Sequence, residues 1–403
     1  MEINQRLRRS EDFATDIKSH FSFPYDPIFI GAIFILLCWG LVMVASASIA
    51  MAERNFEQPF YYLQRQALFA VLGIVSAIVI SRLSLEWWEK NARTFLLLGL
   101  LLLVIVLIPG IGHSVNGARR WLSLGLFSLQ VSELIKLIAI LYIASYMVRY
   151  AQQVRMQFIG FIKPMLVLGF VAALLLLEPD FGSVVIITST GLAMLFLGGV
   201  KFRHFLLLIC LVGLIFAVLV MIAPYRMQRL TSFMDPWSDQ FNSGYQLTQA
   251  LIAFGRGEWF GVGLGQSVQK LFYLPEAHTD FIFAVLSEEL GLIGGCIFLT
   301  IFGVFLTRAF MIARTAARQQ LWFAAYLAFG LTFWLALQAL ISIGVNAGIL
   351  PTKGLTLPFI SYGGSSLLVT LMAVGLLLRV QMEVALASTV RRKATPQEYT
   401  TSQ

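Results

Sequence analysis

Charge is what this 403-residue chain has least of: 12% of its residues are charged, 58% are hydrophobic, and the mean hydropathy is +0.81. So few polar side chains cannot cover a soluble fold, which excludes a soluble domain. The stretches without charge are long, and about 20 apolar residues let a helix cross the hydrocarbon core. Ten such stretches occur, over 27–51, 63–81, 94–111, 131–148, 160–177, 182–200, 204–224, 281–306, 321–345 and 363–382. They are apolar all round and lack the period-two alternation of a membrane β-barrel. The expected class is an all-α integral membrane protein with ten transmembrane helices.

Cysteine is scarce too. Cys38, Cys210 and Cys296 lie within apolar stretches, where a cysteine acts as a small hydrophobe, and their spacing fits neither a metal site nor a disulfide framework. No internal repeat is visible, which weakens an inverted-repeat transporter reading. Gly261, Gly263 and Gly265 form a glycine-rich run, "GRGEWFGVGLGQS", but no strand precedes it and no Walker lysine follows, so it does not read as a nucleotide cradle. The Ala45-Ser46-Ala47 triplet follows an apolar run too long for the h-region of a signal peptide, and acidic residues precede that run; the first stretch reads as a retained span.

The distribution of what charge there is orients the chain. With a cytoplasmic amino terminus, the inside segments hold 19 of the 29 Lys and Arg residues, so the positive-inside rule puts both termini in the cytoplasm. The chain then divides into an N-terminal tail (1–26), a membrane domain (27–383) and a C-terminal tail (384–403). Two longer segments face outward, 112–130 and the large loop 225–280 between the seventh and eighth helices. The net charge of +8 reflects this bias and the pull of anionic lipid, so no nucleic-acid partner is read from it.

A few polar groups remain to be explained. Glu133 and Lys136, three apart in "SELIK", share a helix face and can pair; they read equally as an ion pair locking two helices and as a buried cation poised for an anionic headgroup. Asn116, Arg119, Arg120 and Trp121, in "VNGARRWL", read either as ordinary contacts to lipid phosphate with an interfacial Trp, or as guanidinium forks suited to a diphosphate. In "LPEAHTDFIFAVLSEEL", Asp280 directly precedes an apolar run and reads as a helix N-cap or as a functional acid. Glu276 and His278 read as loop residues, and Glu288 and Glu289, about 12–14 Å further along a helix, as structural ones.

These motifs, with "EPDFG" and "GILPTKGLTLPFISYGGSS", appear in this order over roughly 27–383. They resemble the SEDS family (shape, elongation, division and sporulation) of peptidoglycan glycosyltransferases, and "PEAHTDF" and "NAGILPTKGLTLPFISYGGSS" are nearest its division branch. Val131 stands where the family commonly has proline, which leaves the local start of that helix open. The resemblance implies a polymerase of lipid II, the undecaprenyl-diphosphate-linked precursor, in the inner membrane at the septum, with its active site facing the periplasm. It implies Asp280 as the catalytic base, with Phe281 and Phe283 drying the site. Lys136, Arg119 and Arg120 would bind diphosphate, Glu133 would orient Lys136, and Asn116, Glu276 and His278 would contact substrate. A class B penicillin-binding transpeptidase and division regulators are the implied partners. No cofactor is required, although a divalent cation beside Asp280 fits the chemistry without any metal-ligand spacing to announce it. Two rival readings are a lipid II flippase and a non-catalytic division scaffold. The polar groups cluster at the outer face instead of forming a track across the bilayer, which favours chemistry over transport.

Overall fold

Asp26 opens the first membrane helix by accepting a hydrogen bond from the Ile28 amide at 2.9 Å, with Pro27 at the first helical position, where its missing N–H costs nothing. The computed structural model describes residues 25–394 except 116, 117, 124, 126, 127, 223 and 353. Three helices come first, α1 (Pro27–Phe56), α2 (Tyr61–Arg82) and α3 (Leu85–Leu107). After a small sheet, the chain continues through α4 (Val131–Arg149), α5 (Ala151–Met156), α6 (Phe158–Leu177), α7 (Phe181–Leu197), α8 (Phe202–Ile222), α9 (Pro224–Met234) and α10 (Tyr245–Gly257). It ends with α11 (Ile282–Arg318), α12 (Trp322–Asn346) and α13 (Gly364–Ala394). Among the described residues nine helices are long and apolar enough to span a membrane, and α7 is a shorter apolar helix of 17 residues. The fold is thus predominantly helical, as the apolar stretches require.

Burial separates an inner group of helices from an outer one. In α4, 83% of the apolar window is buried, against 6% in α8. The inner helix α4 packs on α3, α7 and α12, while α13 packs along α2 and α11 packs on α1, α10 and α12. The large outward-facing side chains of α8, among them Leu206, Leu207, Leu214 and Met221, suit contact with lipid, whose tails are as apolar as they are. Val131 does not displace the start of α4, which begins at that residue with Gln130 as its N-cap.

The sheet lies in segment 112–130, where the sequence predicts only a loop. Strands β1 (Gly112–Val115), β2 (Ala118–Ser123) and β3 (Ser128–Gln130) are antiparallel, with Val115 opposite Ala118 and Trp121 opposite Gln130. The Asn116-Gly117 dipeptide between the first two strands is the strongest short-range hairpin signal in a sequence. The apolar helices also outrun their expected ends. The eighth apolar stretch continues to Arg318 and the last to Ala394, because charged residues spaced along a helix exit the membrane without ending it.

α11 is not continuous. Gly291 has φ 67° and ψ −170°, a conformation glycine alone adopts readily. It splits the helix into a buried half, Ile282–Leu290, and a membrane half from Leu292 onward. The loop after α10 is spliced into this break. The Val262 and Gly263 amides donate to the carbonyls of Glu288 and Glu289 at 3.0 Å each. The Leu292 and Ile293 amides donate to the carbonyls of Glu258 and Trp259 at 2.9 and 3.1 Å. Backbone groups orphaned by the break therefore find partners. A Cβ on Gly261 would sit 2.2 Å from the Glu289 carbonyl oxygen, so the close approach depends on glycine.

Candidate active site

Asp280 is half-buried at the foot of the first half of α11. It is not the helix cap, because that position belongs to Phe281, which makes no side-chain capping bond. Asn346, at the end of α12, does the capping from a distance: its Oδ1 accepts from the Ala284 amide at 3.0 Å, and its Nδ2 donates to the Asp280 carbonyl at 2.8 Å. The Ala284 amide and the Asp280 carbonyl at the start of the helix are therefore both served by Asn346. The Asp280 side chain lies against Gly354, where a Cβ would come within 3.0 Å of Asp280 Oδ2. A glycine there leaves room beside the carboxylate.

The segment between α12 and α13 gathers the other groups. Ser361 Oγ donates to the Thr279 carbonyl at 2.6 Å and accepts from the Leu357 amide at 2.7 Å. The Tyr362 amide donates to the His278 carbonyl at 2.9 Å. From α2, Gln66 Nε2 donates to the Ser361 carbonyl at 3.0 Å, and Gln66 Oε1 accepts from the Gly363 amide. The same segment reaches the buried lysine, since Gln338 Nε2 donates to the Thr356 carbonyl at 2.9 Å while Gln338 Oε1 accepts from Lys136 Nζ at 2.9 Å. One polar segment thus connects the Asp280 turn to the Lys136 cluster.

Lys136 is 1% exposed and pairs with Glu133 Oε1 at 2.7 Å, and its ammonium stands 5.3 Å from the centroid of the Trp334 ring. Both readings of this pair start from that geometry. Two atoms nearby stay unsatisfied: Glu133 Oε2, and Thr190 Oγ1 across a crevice lined by Lys136, Ile140, Ile187 and Trp334. Buried polar atoms without partners are uncommon, and these two single out the neighbourhood of Lys136.

His278 is 6% exposed, with its ring between those of Tyr62 and Tyr362 at centroid distances of 4.7 and 5.5 Å. Burial holds its imidazole below the ordinary histidine range, opposed by the nearby Glu276 carboxylate, so it is neutral near pH 7. Glu276 secures the turn: its Oε2 accepts from Thr279 Oγ1 at 2.8 Å, and its carbonyl accepts from the Thr279 and Phe281 amides. Both residues thus shape the turn that presents Asp280.

Arg119 and Arg120 hold the sheet to the helix ends. Arg119 Nη1 donates to the Leu107 carbonyl at 3.0 Å; Arg120 Nε and Nη2 donate to the Glu178 and Pro179 carbonyls at 2.8 and 2.6 Å. Each arginine keeps further N–H donors for an anion. Asn116 lies outside the described residues. The side chain of Glu178 is fully buried, and neither of its carboxylate oxygens has a partner. Desolvation, and then the neighbouring Asp180, push its carboxyl up to about 8, with Arg120 pulling it down.

Glu288 and Glu289 lie apart from this site, in the splice. Glu288 accepts from Ser267 Oγ and from the amides of Val268 and Gln269, and pairs with Arg256. Glu289 accepts from Ser46 Oγ on α1 and pairs with Lys270 at 2.7 Å. Their structural reading fits this arrangement. No group of three or more His, Cys, Asp or Glu placed to hold a metal occurs among the described residues.

Gln338, Asn346, Gly354, Thr356 and Ser361 do not stand out from the sequence as site residues. For Gly354, Thr356 and Ser361 the signal available was a Gly-, Pro- and Ser/Thr-rich run between two strongly apolar stretches; Gln338 and Asn346, on the apolar helix before it, carried none. In a membrane protein such irregular backbone is tolerated where it is buried in protein or lines a cavity.

Residues 27–386 match a family model described as cell cycle protein, covering FtsW, RodA and SpoVE. A protein of Thioalkalivibrio sulfidiphilus named "Probable peptidoglycan glycosyltransferase FtsW" is 56% identical over 356 residues, 88% of this chain and 89% of its own length. Its namesake in Nitrosococcus halophilus is 56% identical over 367 residues, 91% of this chain and 95% of its own. Among solved structures, a chain of a peptidoglycan synthase complex that coordinates polymerization and crosslinking superimposes with a TM-score of 0.73 at 28% identity, covering 89% of this chain and 98% of that one. RodA of Thermus thermophilus superimposes with a TM-score of 0.65 at 29% identity, covering 89% and 97%.

Proposed function

The chain belongs to the FtsW, RodA and SpoVE family, and from that premise we propose that it is a peptidoglycan glycosyltransferase that polymerises lipid II at the outer face of the inner membrane during septal wall synthesis. Relatives at 56% identity over most of both chains carry that activity in their names. The observation that carries the reading onto this chain's residues is the single segment, 350–366, that abuts Asp280 and reaches Lys136 through Gln338.

The reaction needs a base for an acceptor hydroxyl and cations for a departing diphosphate. Asp280 takes the proton from the acceptor sugar's 4-hydroxyl as that oxygen bonds the donor's anomeric carbon from the face opposite the leaving group. The bond from carbon to diphosphate oxygen breaks, with inversion. The leaving group is a weak base, so it needs charge compensation more than a proton. Arg119 and Arg120 offer it with their remaining N–H donors, and Lys136 with the positive charge that Glu133 keeps in place. Glu276 and the neutral His278 hold the turn so that Asp280 faces the substrate, and Asn116 supplies a further polar contact from the segment that carries Arg119 and Arg120.

A class B penicillin-binding transpeptidase and division regulators are the partners this reading requires. A complex of polymerization with crosslinking among the related structures supports the first. The decisive assay is glycan synthesis from lipid II in detergent, with the transpeptidase present and its serine blocked by penicillin. Detergent leaves no two compartments, so a flippase makes nothing measurable there, while polymer is the expected product. Movement of labelled lipid II across liposomes without any polymer would overturn the reading. A parallel run with chelator reads any dependence on a divalent cation. Orientation is tested by cysteines at Ser243 and Arg314 in a background lacking the native three: an impermeant reagent should label the first from outside the cell and the second only after lysis.

A further inference from the structure

The splice that closes the break in α11 ends in two aromatic side chains that stand exposed among the described residues. Trp259 is 65% exposed and Phe260 81%, although the backbone between Glu258 and Gly263 is held at both ends by the broken helix. Beside them the outward face of α11 continues with exposed Leu292, Ile293 and Ile297. That face suits lipid, as the length and composition of α11 require. The exposed aromatics extend a lipid-facing surface upward.

How high they stand can be read from two independent helices. Asp26 caps α1 and pairs with Arg308 at 3.2 Å, so these two residues mark one membrane boundary. Gly291 precedes Arg308 by 17 residues along α11, about 25 Å at ~1.5 Å per residue. Ser46 follows Pro27 by 19 residues along α1, about 28 Å by the same rise. Ser46 accepts from Lys270 Nζ at 3.0 Å and donates to Glu289 at 2.7 Å, which ties it to the level of the break. Both routes agree with a hydrocarbon core of about 30 Å, so the break lies at its far edge. Tryptophan and other amphipathic aromatics collect at that depth, with rings among the acyl ends and polar edges toward headgroups.

We propose that Trp259 and Phe260 are a membrane anchor seated in the interface of the outer leaflet, and that they fix the height of the splice on the bilayer. The consequence reaches the site. The splice grips the end of the half-helix Ile282–Leu290, whose other end directly follows the Asp280 turn. The height of the splice on the bilayer therefore bears on the height of Asp280. The anchor does not depend on the reaction proposed above, only on the membrane.

The test places a nitroxide at Phe260→Cys in a variant lacking Cys38, Cys210 and Cys296, reconstituted into phosphatidylethanolamine and phosphatidylglycerol vesicles. Collision of the label with dissolved oxygen, which favours lipid, is compared with collision with a water-soluble nickel chelate. Leu214→Cys on α8 serves as the deep reference and Asn242→Cys as the aqueous one. The label at 260 should meet the chelate several-fold less than the label at 242, and meet it more than the label at 214. A label at 260 as accessible to the chelate as that at 242 would overturn the proposal. In that case protection gained only on adding the transpeptidase would assign the surface to a protein partner instead of lipid.

Discussion

Two buried charge clusters lie in this membrane domain, and they differ in how completely they are paired. In the splice, Glu288 and Glu289 meet two hydroxyls, two backbone amides, Arg256 and Lys270. In the inner cluster Lys136 has Glu133, Gln338 and the face of Trp334, and Glu133 Oε2 has nothing. A saturated network makes a joint, since nothing is left to attract a ligand. An unsaturated one keeps capacity in reserve. Glu178 extends the series, with both oxygens unpartnered.

The sharpest way to break the comparison is at the lysine. Glu133→Ala strands a buried cation and should cost about 3–5 kcal/mol, while Glu133→Ala with Lys136→Ala should recover much of that loss. Thermal unfolding of the two single variants and the double in detergent measures the cycle, and additive losses would mean the pair contributes no coupling. Glycan synthesis should be lost in all three if Lys136 holds diphosphate as proposed.

Glu178 tests the unpartnered extreme through pH. Its carboxyl is raised from 4.5 to about 8 in the fold, so the folded chain binds a proton that the unfolded chain has already released. Stability is then highest below about pH 4.5, falls as pH rises toward 8 and levels off above, a swing on the order of a few kcal/mol. Glu178→Gln should flatten that part of the curve of unfolding temperature against pH. An unchanged slope would show that the carboxyl is ionised in the fold.

The saturated joint should respond in stability alone. Glu289→Gln weakens the charge-assisted bonds to Lys270 and Ser46, for a loss of about 1.5–3 kcal/mol. Initial rates measured well below the unfolding temperature should stay near wild type. Smallest of all, Arg120→Lys gives up the two-pronged grip on Glu178 and Pro179 and should cost about 1 kcal/mol, with a rise in KM for lipid II as the mark of its diphosphate role.

How much of this was legible in the sequence depended on how locally each feature is encoded. The spans were readable because about 20 apolar residues leave few alternatives in a membrane, and the Glu133–Lys136 pair because three residues on a helix fix the contact. The sheet at 112–130 was locally encoded too, in Asn116-Gly117, but the signal is brief beside long apolar runs. The break at Gly291 was hidden: a glycine inside an apolar stretch looks like an ordinary helix residue, and only the approach of Glu258–Gly263 makes its positive φ worthwhile. Gln338 and Asn346 act on partners some 200 and 60 residues away, and spacing along one chain carries no trace of such contacts. Asp280 lay between the two cases. Its place before an apolar run suggested a cap, and only the structure shows Asn346 satisfying the helix in its stead.

That substitution of caps leads to the most direct test of the central claim, that Asp280 is the base at this site. Asp280→Asn keeps nearly the same shape and leaves the Asn346 bond to the backbone carbonyl intact, yet it cannot accept a proton near neutral pH. The variant is assayed for glycan polymer from lipid II with the blocked transpeptidase, alongside its unfolding temperature, partner binding and lipid II binding. The expected result is no polymer, with the other three properties near wild type. Polymer formed at the wild-type rate would contradict the account and leave Asp280 without a part in the chemistry.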